Sequence, residues 1–376
     1  MSYLKTINIQ HLTSGTNNIV LDANGNMTCA GTISAATPTG GMRNKIINGD
    51  MRFDQRNAGA SVTPAAGPAN TYMLDRWAYG YGVNSKMSVQ QSTTAPTGFS
   101  NSILFTSLST YSIGSSDYFL VNQPIEGLNI SDLAWGTSSA KAVTLSFWVQ
   151  SSLTGTFGGS LRNSATDRSY PFSYTINSSN TWEQKTITIP GDTTGTWLTT
   201  TGLGIRLTFG LGTGSTFTGT ANTWASANYH NVTGATSVVG TNGATFYLTG
   251  VQLEIGSIAT PFERRQYGTE LALCQRYYQL IDNGAGKGAS TTVFQFNASF
   301  VVEMRSTPSL SVTTLRITDC NVSDYQNASP GVGGANLNVR GGRIETTGWS
   351  GLTSGTTYLL LPTGTNAAPV KASAEL

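Results

Sequence analysis

The sequence predicts an all-β protein, and three observations support this fold class. Glycine accounts for 43 of 376 residues, and Ser and Thr are also frequent, which is typical of many short strands joined by turns. Several segments alternate apolar and polar residues with a period of two, as a strand with one buried face does. Long runs of the helix formers Ala, Glu, Leu and Lys are absent. At this length we expect roughly two or three domains.

Residues 1–45 are predicted to form a small unit of their own. Asn24-Gly25 lies between two short strand-like runs and favours the tight turn of a β-hairpin. One hairpin buries too little apolar surface to be stable alone in water. We therefore expect this unit to pack on copies of itself or on a partner. Residues 34–41, SAATPTGG, have the composition of a linker.

Residues 46–267 are predicted to form a large β-sandwich of the jelly-roll kind, because many short strands alternate with Gly, Ser and Thr turns. Two segments place a regular set of side chains on a buried face: Val143, Leu145, Phe147 and Val149, then Leu203, Ile205, Leu207, Phe209 and Leu211. The rings of Trp77 and Trp148 are expected in this core.

The segment ATFYLTGVQLEIG (244–256) changes the parity of its apolar residues at Thr249-Gly250. The apolar residues are Phe246 and Leu248 before that point, and Val251, Leu253 and Ile255 after it. A change of parity inside one strand predicts a β-bulge that re-aims the side chains.

Residues 268–283 are predicted to form a connecting helix, with the helical pattern over 268–281. Thr269 is the expected N-cap, and Asn283-Gly284 is the expected stop. The residues that recur at helical spacing are Leu271, Cys274 and Tyr278. Charged residues make up 11% of the chain but concentrate around this helix: Glu263, Arg264, Arg265, Glu270 and Arg276.

Residues 284–376 are predicted to form a small C-terminal β-sandwich. The segment TVFQFNASFVVEM alternates and places these residues on one face: Phe294, Phe296, Ala298, Phe300, Val302 and Met304.

The composition argues against several classes of function. The net charge of +2, with no basic run, does not predict a nucleic-acid partner. The N-terminus has no apolar signal core, and no stretch approaches the ~18 apolar residues of a membrane span. We therefore expect no membrane insertion, and folding in a cytoplasm.

Candidate catalytic and metal-binding groups are also sparse. Cys29, Cys274 and Cys320 are too dispersed for a disulfide framework or a metal site. His11 and His230 have no ligand at metal spacing, and a turn or surface role is the favoured interpretation. The acidic residues are scattered near turns, so no pair for glycoside hydrolysis stands out. We predict no metal, no cofactor and no enzymatic activity.

Five stretches resemble the tail-fibre and fibre-like virion proteins of tailed bacteriophages, including cyanophages. They are NKIINGDMRFDQRNAG (44–59), YMLDRWAY (72–79), 126–163, 167–197 and 242–279. The resemblance covers roughly residues 44–280. The family often has Pro where this chain has Gln266, so the entry to the helix is expected to be less rigid here. MRSTPSLSV (304–312) resembles the start of the variable C-terminal domains that follow this module.

The resemblance implies a virion component. In such fibres an N-terminal segment attaches to the particle, usually as a homotrimer, a carbohydrate-binding-like jelly roll forms the body, and the C-terminal tip meets the host surface. We therefore expect residues 1–45 to bind other virion proteins and the tip to bind a host glycan or another receptor by multivalent adhesion. The family implies no catalytic residues.

Two sets of site residues are predicted on this basis. The expected receptor contacts lie in the most polar, glycine-rich part of the tip: Tyr325, Arg340, Arg343 and Trp349. The helix is expected to join body and tip, or to pack on the matching helices of other subunits, through Arg264, Arg265, Leu271, Cys274 and Tyr278. Ion pairs among Glu263, Arg264 and Arg265 would fix the geometry of that junction more than its stability.

Two alternatives remain open from the residues. One is a purely structural virion protein, such as a capsid decoration, a head fibre or an adaptor that carries another fibre. The other is a tailspike that degrades surface polysaccharide. The chain lacks the long run of regular short repeats expected of a β-helix depolymerase, which argues against the second.

Overall fold

The computed structural model describes the strand segments 8–9, 19–21 and 27–29, together with residues 42–65, 70–319, 324–327, 329–361 and 370–376. The chain divides into two compact units, Met1–Gly41 and Met42–Leu376. Almost all the regular structure is β, which confirms the predicted all-β fold class.

The first unit contains three short antiparallel strands, β1 (Asn8–Ile9), β2 (Ile19–Leu21) and β3 (Met27–Cys29). Strand β2 pairs with β3 in the register that sets Leu21 against Met27, so the predicted hairpin is confirmed. Its turn residues Asn24 and Gly25, like the linker 34–41, lie outside the described residues.

The second unit begins at Met42, and its first residues already belong to the sandwich. The backbone N–H of Lys45 donates to the carbonyl of Leu253 at 2.8 Å, and the Asn44 amide donates to that of Val251 at 3.1 Å. Residues 42–45 are therefore part of this unit.

The body consists of two antiparallel sheets and a separate, short parallel pair of strands. Its strands are β4 (Asn70–Leu74), β5 (Trp77–Tyr81), β6 (Met87–Ser92), β7 (Ser102–Ser107), β8 (Tyr118–Glu126), β9 (Val143–Ser151), β10 (Gly155–Arg162), β11 (Ser169–Ile176), β12 (Glu183–Ile189), β13 (Leu203–Thr213), β14 (Thr218–Gly219), β15 (Asn231–Val232) and β16 (Thr245–Ile255). The six-stranded sheet has the order β11-β10-β13-β8-β5-β4, and the five-stranded sheet has the order β12-β9-β16-β7-β6. The result is a jelly-roll-like β-sandwich.

The apolar faces predicted from the period of two form the core between these sheets. The residues of that pattern with no exposed surface are Val143, Leu145, Phe147, Val149, Ile205, Leu207, Phe209 and Leu211. Phe147 meets Phe209 edge to face across the core, with ring centroids 5.0 Å apart. Trp77 is buried as predicted, whereas Leu203 and Trp148 are only half-buried because they lie at the margin or outer face of their sheets.

The predicted bulge in β16 is confirmed. The pairing of β16 with β9 slips between Thr249 and Gln252, and Gly250 has a φ of +61°. Phe246 and Val251 are both fully buried although they have opposite parity. The end of the strand differs from the prediction, because Ile255 lies beyond the core and is 40% exposed.

A loop covers part of the outer face of the six-stranded sheet. We name residues 214–232 the cover segment. It holds a single turn of 3-10 helix, Ser215–Phe217, and the short parallel pair β14 and β15. A Cβ on Gly210 of β13 would lie 2.1 Å from Nδ2 of Asn231, so glycine permits this close approach.

The predicted helix is shorter than the sequence pattern indicates. Helix α1 spans Tyr267–Gln275, and its N-cap is Gln266 rather than Thr269. Tyr278 does not lie on the helix. It begins strand β17 (Tyr278–Ile281), whose pairing with a distant strand near the C-terminus replaces the last predicted turns.

The C-terminal region contains two more sheets. Its remaining strands are β18 (Ala285–Gly288), β19 (Val293–Ser299), β20 (Ser309–Ser311), β21 (Leu315–Thr318), β22 (Asp324–Asn327), β23 (Gly331–Asn338), β24 (Gly341–Thr347), β25 (Thr357–Leu360) and β26 (Val370–Ser373). The orders are β17-β26-β20 and β22-β21-β25-β18-β19-β24-β23. Phe294, Phe296 and Met304 are buried as predicted, but β19 ends at Ser299, so Phe300 is only half-buried.

We expect Gly250→Ala to destabilise the protein more than Gly243→Ala. Both glycines have positive φ, +61° and +75°, so alanine is strained at either by about 1–2 kcal/mol. At Gly243 nothing lies within 4 Å of the added Cβ, whereas at Gly250 it would lie 2.7 Å from the ring of Phe99. Overpacking adds roughly 1–3 kcal/mol at the bulge. Urea unfolding of the two variants measures the difference, and equal losses would show that the bulge is not tightly packed.

Candidate functional site

Residues 43–53 run between the sandwich and helix α1 with no regular secondary structure over most of their length. Their buried backbone groups must therefore find side-chain partners. The carboxylate of Glu263 accepts from the backbone N–H of Asn44 at 3.0 Å. The carboxylate of Glu270 accepts from the backbone N–H of Asn48 at 2.5 Å. Two of the charged residues near the helix thus bind this segment.

Arg265 completes the same network from the other side. Its guanidinium donates to the carbonyl of Ile46 at 3.0 Å and to that of Asn44. It also lies 3.3 Å from the carboxylates of both Glu263 and Glu270. The arginine therefore serves as donor to the carbonyls and as counter-charge to the two acids.

Arg264 does not join this network in the way the sequence predicts. It donates to the carbonyl of Gly98 and lies over the ring of Phe99, 4.7 Å from its centroid. Arg276 instead forms a two-point ion pair with the buried Glu126, at 2.7 and 3.0 Å. The hydroxyl of Tyr277 donates to the same carboxylate at 2.6 Å.

Of the apolar residues predicted for the junction, Leu271 and Cys274 lie on helix α1, and Tyr278 follows it in β17. Cys274 is fully buried, and burial raises the pKa of its thiol. It packs with Ile47 and Phe53, and half-buried Leu271 packs against this cluster. Tyr278, in β17, lies under the guanidinium of Arg56, which is 3.8 Å from its ring centroid. A role for these residues between subunits remains a prediction.

The four predicted receptor-contact residues occupy different environments. Trp349 is buried, at 4% exposure, and its Nε1 donates to the hydroxyl of Thr346 at 2.9 Å, so its ring belongs to the core rather than to the surface. Tyr325 is half-buried against the same core. Arg340 is exposed in a turn, and Arg343 lies in β24 on an outward face.

Arg343 borders an open groove of about 420 Å³ on the outer face of the seven-stranded sheet. We name it the outer groove. Its lining residues are Ala285, Gly286, Lys287, Gln295, Phe296, Asn297, Arg343 and Thr357. The pairing of adjacent strands aligns Thr357, Lys287, Gln295 and Glu345 in one row across the sheet. Gln295 donates to Glu345 at 2.7 Å, which orients its amide group along that row.

A second cavity, of about 260 Å³, lies in the body between the six-stranded sheet and the cover segment. We name it the arginine cleft. Its lining residues are Asn70, Tyr118, Leu120, Arg162, Thr166, Arg206, Phe217, Asn228 and His230. Arg162 on β10 stands directly opposite Arg206 on β13. Two cationic side chains therefore project from neighbouring strands into one small space.

The cover segment contributes the other side of the arginine cleft. The rings of Phe217 and His230 stack at 4.5 Å with an interplanar angle of 9°. Tyr118 meets both of them edge-on, at 5.7 and 5.4 Å. Asn228 accepts from Arg162 at 2.7 Å, so the cover segment is bonded to the floor of the cleft.

Burial and mutual repulsion lower the pKa values of the basic side chains in this cleft. Burial, and then the charge on Arg206, lower the pKa of Arg162 to about 9. Burial, and then the charges on both arginines, lower the pKa of His230 to about 2, so the imidazole is neutral at physiological pH. The sequence-based expectation of a turn or surface role for His230 is wrong, because its side chain faces the cleft and is 5% exposed.

The arginine cleft was not predicted from the sequence. Arg206 takes an outward position in the alternating segment LGIRLTFGLG, and Arg162 ends an adjacent strand, which is a weak signal for a polar outer face. Their juxtaposition depends on the register of two strands that are distant in sequence.

The described residues contain no helix that is long and apolar enough to cross a membrane. Within the same part of the chain, no three His, Cys, Asp or Glu side chains meet in an arrangement that could hold a metal ion.

Comparisons with known proteins find similarity to solved structures. No family model and no curated protein matches the chain. An enzymatically active domain of tailspike protein 4 from bacteriophage CBA120 matches over 48% of this chain but 19% of its own, with 12% identity and a TM-score of 0.30.

Two further solved structures match over their whole length. A sugar-binding protein from Bacteroides thetaiotaomicron matches over 57% of this chain and 100% of its own, with 10% identity and a TM-score of 0.34. A family 11 carbohydrate-binding module from Clostridium thermocellum matches over 54% and 100%, with 13% identity and a TM-score of 0.26. At such low identities and TM-scores, no conclusion about function rests on these similarities.

We expect Glu270→Ala to destabilise the protein far more than Glu303→Ala. Glu270 is buried, and its loss leaves Arg265 and the N–H of Asn48 without a partner, at a cost of about 3–5 kcal/mol. Glu303 forms an exposed pair with Arg340, worth about 0–1 kcal/mol. The free energies of urea unfolding test this, and similar values for the two variants would contradict a structural role for the helix network.

Proposed function

We propose that this chain is a fibre protein of a tailed-phage virion that binds a host cell-surface glycan through its C-terminal region. The outer groove is the observation that carries the proposal. Hydroxyl, ammonium and amide groups of Thr357, Lys287 and Gln295 stand in a row on an open sheet face. Such groups can bond successive sugar hydroxyls, and an open groove admits a long polysaccharide.

The virion context of the proposal rests on the resemblance of residues 44–280 to phage fibre proteins. In this proposal the first unit, residues 1–41, attaches the protein to other virion proteins, and the assembled fibre is a homotrimer. A single sugar site is weak, but linked sites gain from a high effective concentration. Adhesion would therefore come from several outer grooves acting on one polysaccharide.

We propose further that binding occurs without cleavage. None of the residues that line the outer groove carries a carboxylate, and Glu345, which adjoins it in the polar row, already bonds Gln295 and pairs with Arg343 at 3.0 Å. Hydrolysis of a glycosidic bond ordinarily needs two carboxyl groups flanking the bond. The groove in this form is suited to holding a glycan.

Purified protein is expected to bind host cells and to block phage adsorption. Lys287→Ala and Asn297→Ala, both in the outer groove, should each weaken cell binding by roughly tenfold, equivalent to about 1.4 kcal/mol. Arg340→Ala is the matched control, because Arg340 is exposed in the same region but does not line the groove.

Other outcomes of this assay discriminate the alternatives. If the correctly assembled protein does not bind cells, a purely structural virion protein is the better assignment. If Arg340→Ala abolishes binding and the groove variants do not, the receptor contacts the turn before β24 instead.

Incubation with purified host polysaccharide is expected to release no new reducing ends, because the proposed site only binds. A reducing-end assay over time measures this, with a known depolymerase as the positive control. A steady release of ends that depends on Glu345 would establish a tailspike activity instead.

A further inference from the structure

The arginine cleft contains two positive charges that no carboxylate balances among the described residues. Arg162 and Arg206 are directly opposite each other on adjacent strands, an arrangement that is destabilising for like charges. Among the described residues neither guanidinium forms an ion pair, and no Asp or Glu lies close enough to shift the pKa of either. Charged groups removed from water are normally paired. The cleft therefore carries a net positive charge.

The cleft also holds polar atoms without a hydrogen-bond partner. The Nε of Arg162 and the Nδ1 of His230, two residues that line the cleft, are buried and have no hydrogen-bond partner among the described residues. Because buried polar groups are rarely left unsatisfied, this set indicates that a ligand supplies the missing partners.

The available hydrogen-bonding capacity is of two kinds. The guanidinium groups can only donate, and they match an oxyanion in charge and geometry. His230 is neutral, and Asn228 Oδ1 lies 3.2 Å from its Nε2, so that nitrogen carries the hydrogen and Nδ1 is left as an acceptor. A buried acceptor beside two donors matches a ligand that carries both an anionic group and a hydroxyl.

We propose that the arginine cleft binds an acidic sugar, with its carboxylate between Arg162 and Arg206 and a hydroxyl bonded to His230. The half-buried rings of Tyr118 and Phe217 line the same cavity and offer an apolar surface to the sugar ring. This site lies in the body and is independent of the outer groove of the C-terminal region.

Titration calorimetry of the full-length protein with glucuronate, glucose and sulfate tests the proposal. Glucuronate should bind at least tenfold more tightly than either of the others, because glucose lacks the anion and sulfate lacks the hydroxyl. Arg206→Gln should weaken glucuronate binding at least tenfold, and so should Arg162→Gln. Lys141→Gln is the matched control and should leave glucuronate binding unchanged, because Lys141 is an exposed cation of the body that lines neither the arginine cleft nor the outer groove.

The stability of the Arg206→Gln variant provides a second readout. Removal of one of two opposed charges should leave the urea concentration at the midpoint of unfolding unchanged or raise it, since the Arg206 side chain makes no hydrogen bond or ion pair among the described residues. A large drop in the midpoint would assign Arg206 a structural role and overturn the proposal. Equal binding of sulfate and glucuronate would reduce the cleft to a simple anion site and would also overturn it.

The oligomeric mass of the variants tests whether a neighbouring copy of the chain, rather than a sugar, fills the cleft. If Arg162→Gln or Arg206→Gln changes the mass in solution, an acidic side chain of a neighbouring copy fills the cleft, and the sugar assignment fails. An unchanged mass together with lost glucuronate binding supports it. Because the outer groove is not altered in these variants, this result is separate from the test of cell adhesion.

Discussion

The structure of the second unit depends on the burial of residues 43–53. This segment carries peptide groups into the interior without the hydrogen-bond ladder of a sheet or helix, and unpaired buried peptide groups are costly. Side chains from several parts of the chain replace the ladder. Gln123, for example, both donates to the carbonyl and accepts from the N–H of Ile47, each at 2.9 Å. The concentration of charge around α1 follows from the same requirement.

This requirement also explains why the helix lies where it does. Glu270 must reach Asn48 from a rigid element, and Cys274, one turn further along α1, packs in the same cluster as Ile47 and Phe53. The helix thus fixes the segment through one polar and one apolar contact. Glu375 adds an ion pair to Arg56 at 2.6 Å, so residues near both ends of this unit meet close to the helix.

The sandwich could be predicted from the sequence because its strands have one buried face, and a period of two marks such strands directly. The bulge at Gly250 could be predicted because the parity of the apolar residues changes there. The end of α1 could not be predicted, since Tyr278 fits the helical spacing as well as the strand it joins, and its partner β26 lies far along the chain. Trp349 lies in a polar, turn-rich stretch, and its burial arises from strands that meet only in the folded state.

The residues of the candidate sites were still harder to predict, because most of them come together only in the folded chain. Composition alone made Arg343 a candidate, because exposed polar residues accumulate in the C-terminal region, and the structure places it beside the outer groove. Lys287 and Thr357 become neighbours through the pairing of strands that lie far apart in the chain, which local sequence does not encode. Arg162, Arg206 and His230 come from three separated segments, and the unbalanced charge they create exists only in three dimensions.

The pairing of β17 with β26 has a consequence for how such a protein diversifies. The chain enters and leaves the C-terminal region on adjacent antiparallel strands, with Ile281 opposite Val370. The intervening region is joined to the rest of the unit by these two strands, by β20, which pairs with β26, and by Arg305, which donates to the carbonyl of Thr201 in the body. A different region that kept these few connections would leave the body and its helix unchanged. The geometry therefore permits recombination to exchange one C-terminal region for another while the scaffold is preserved.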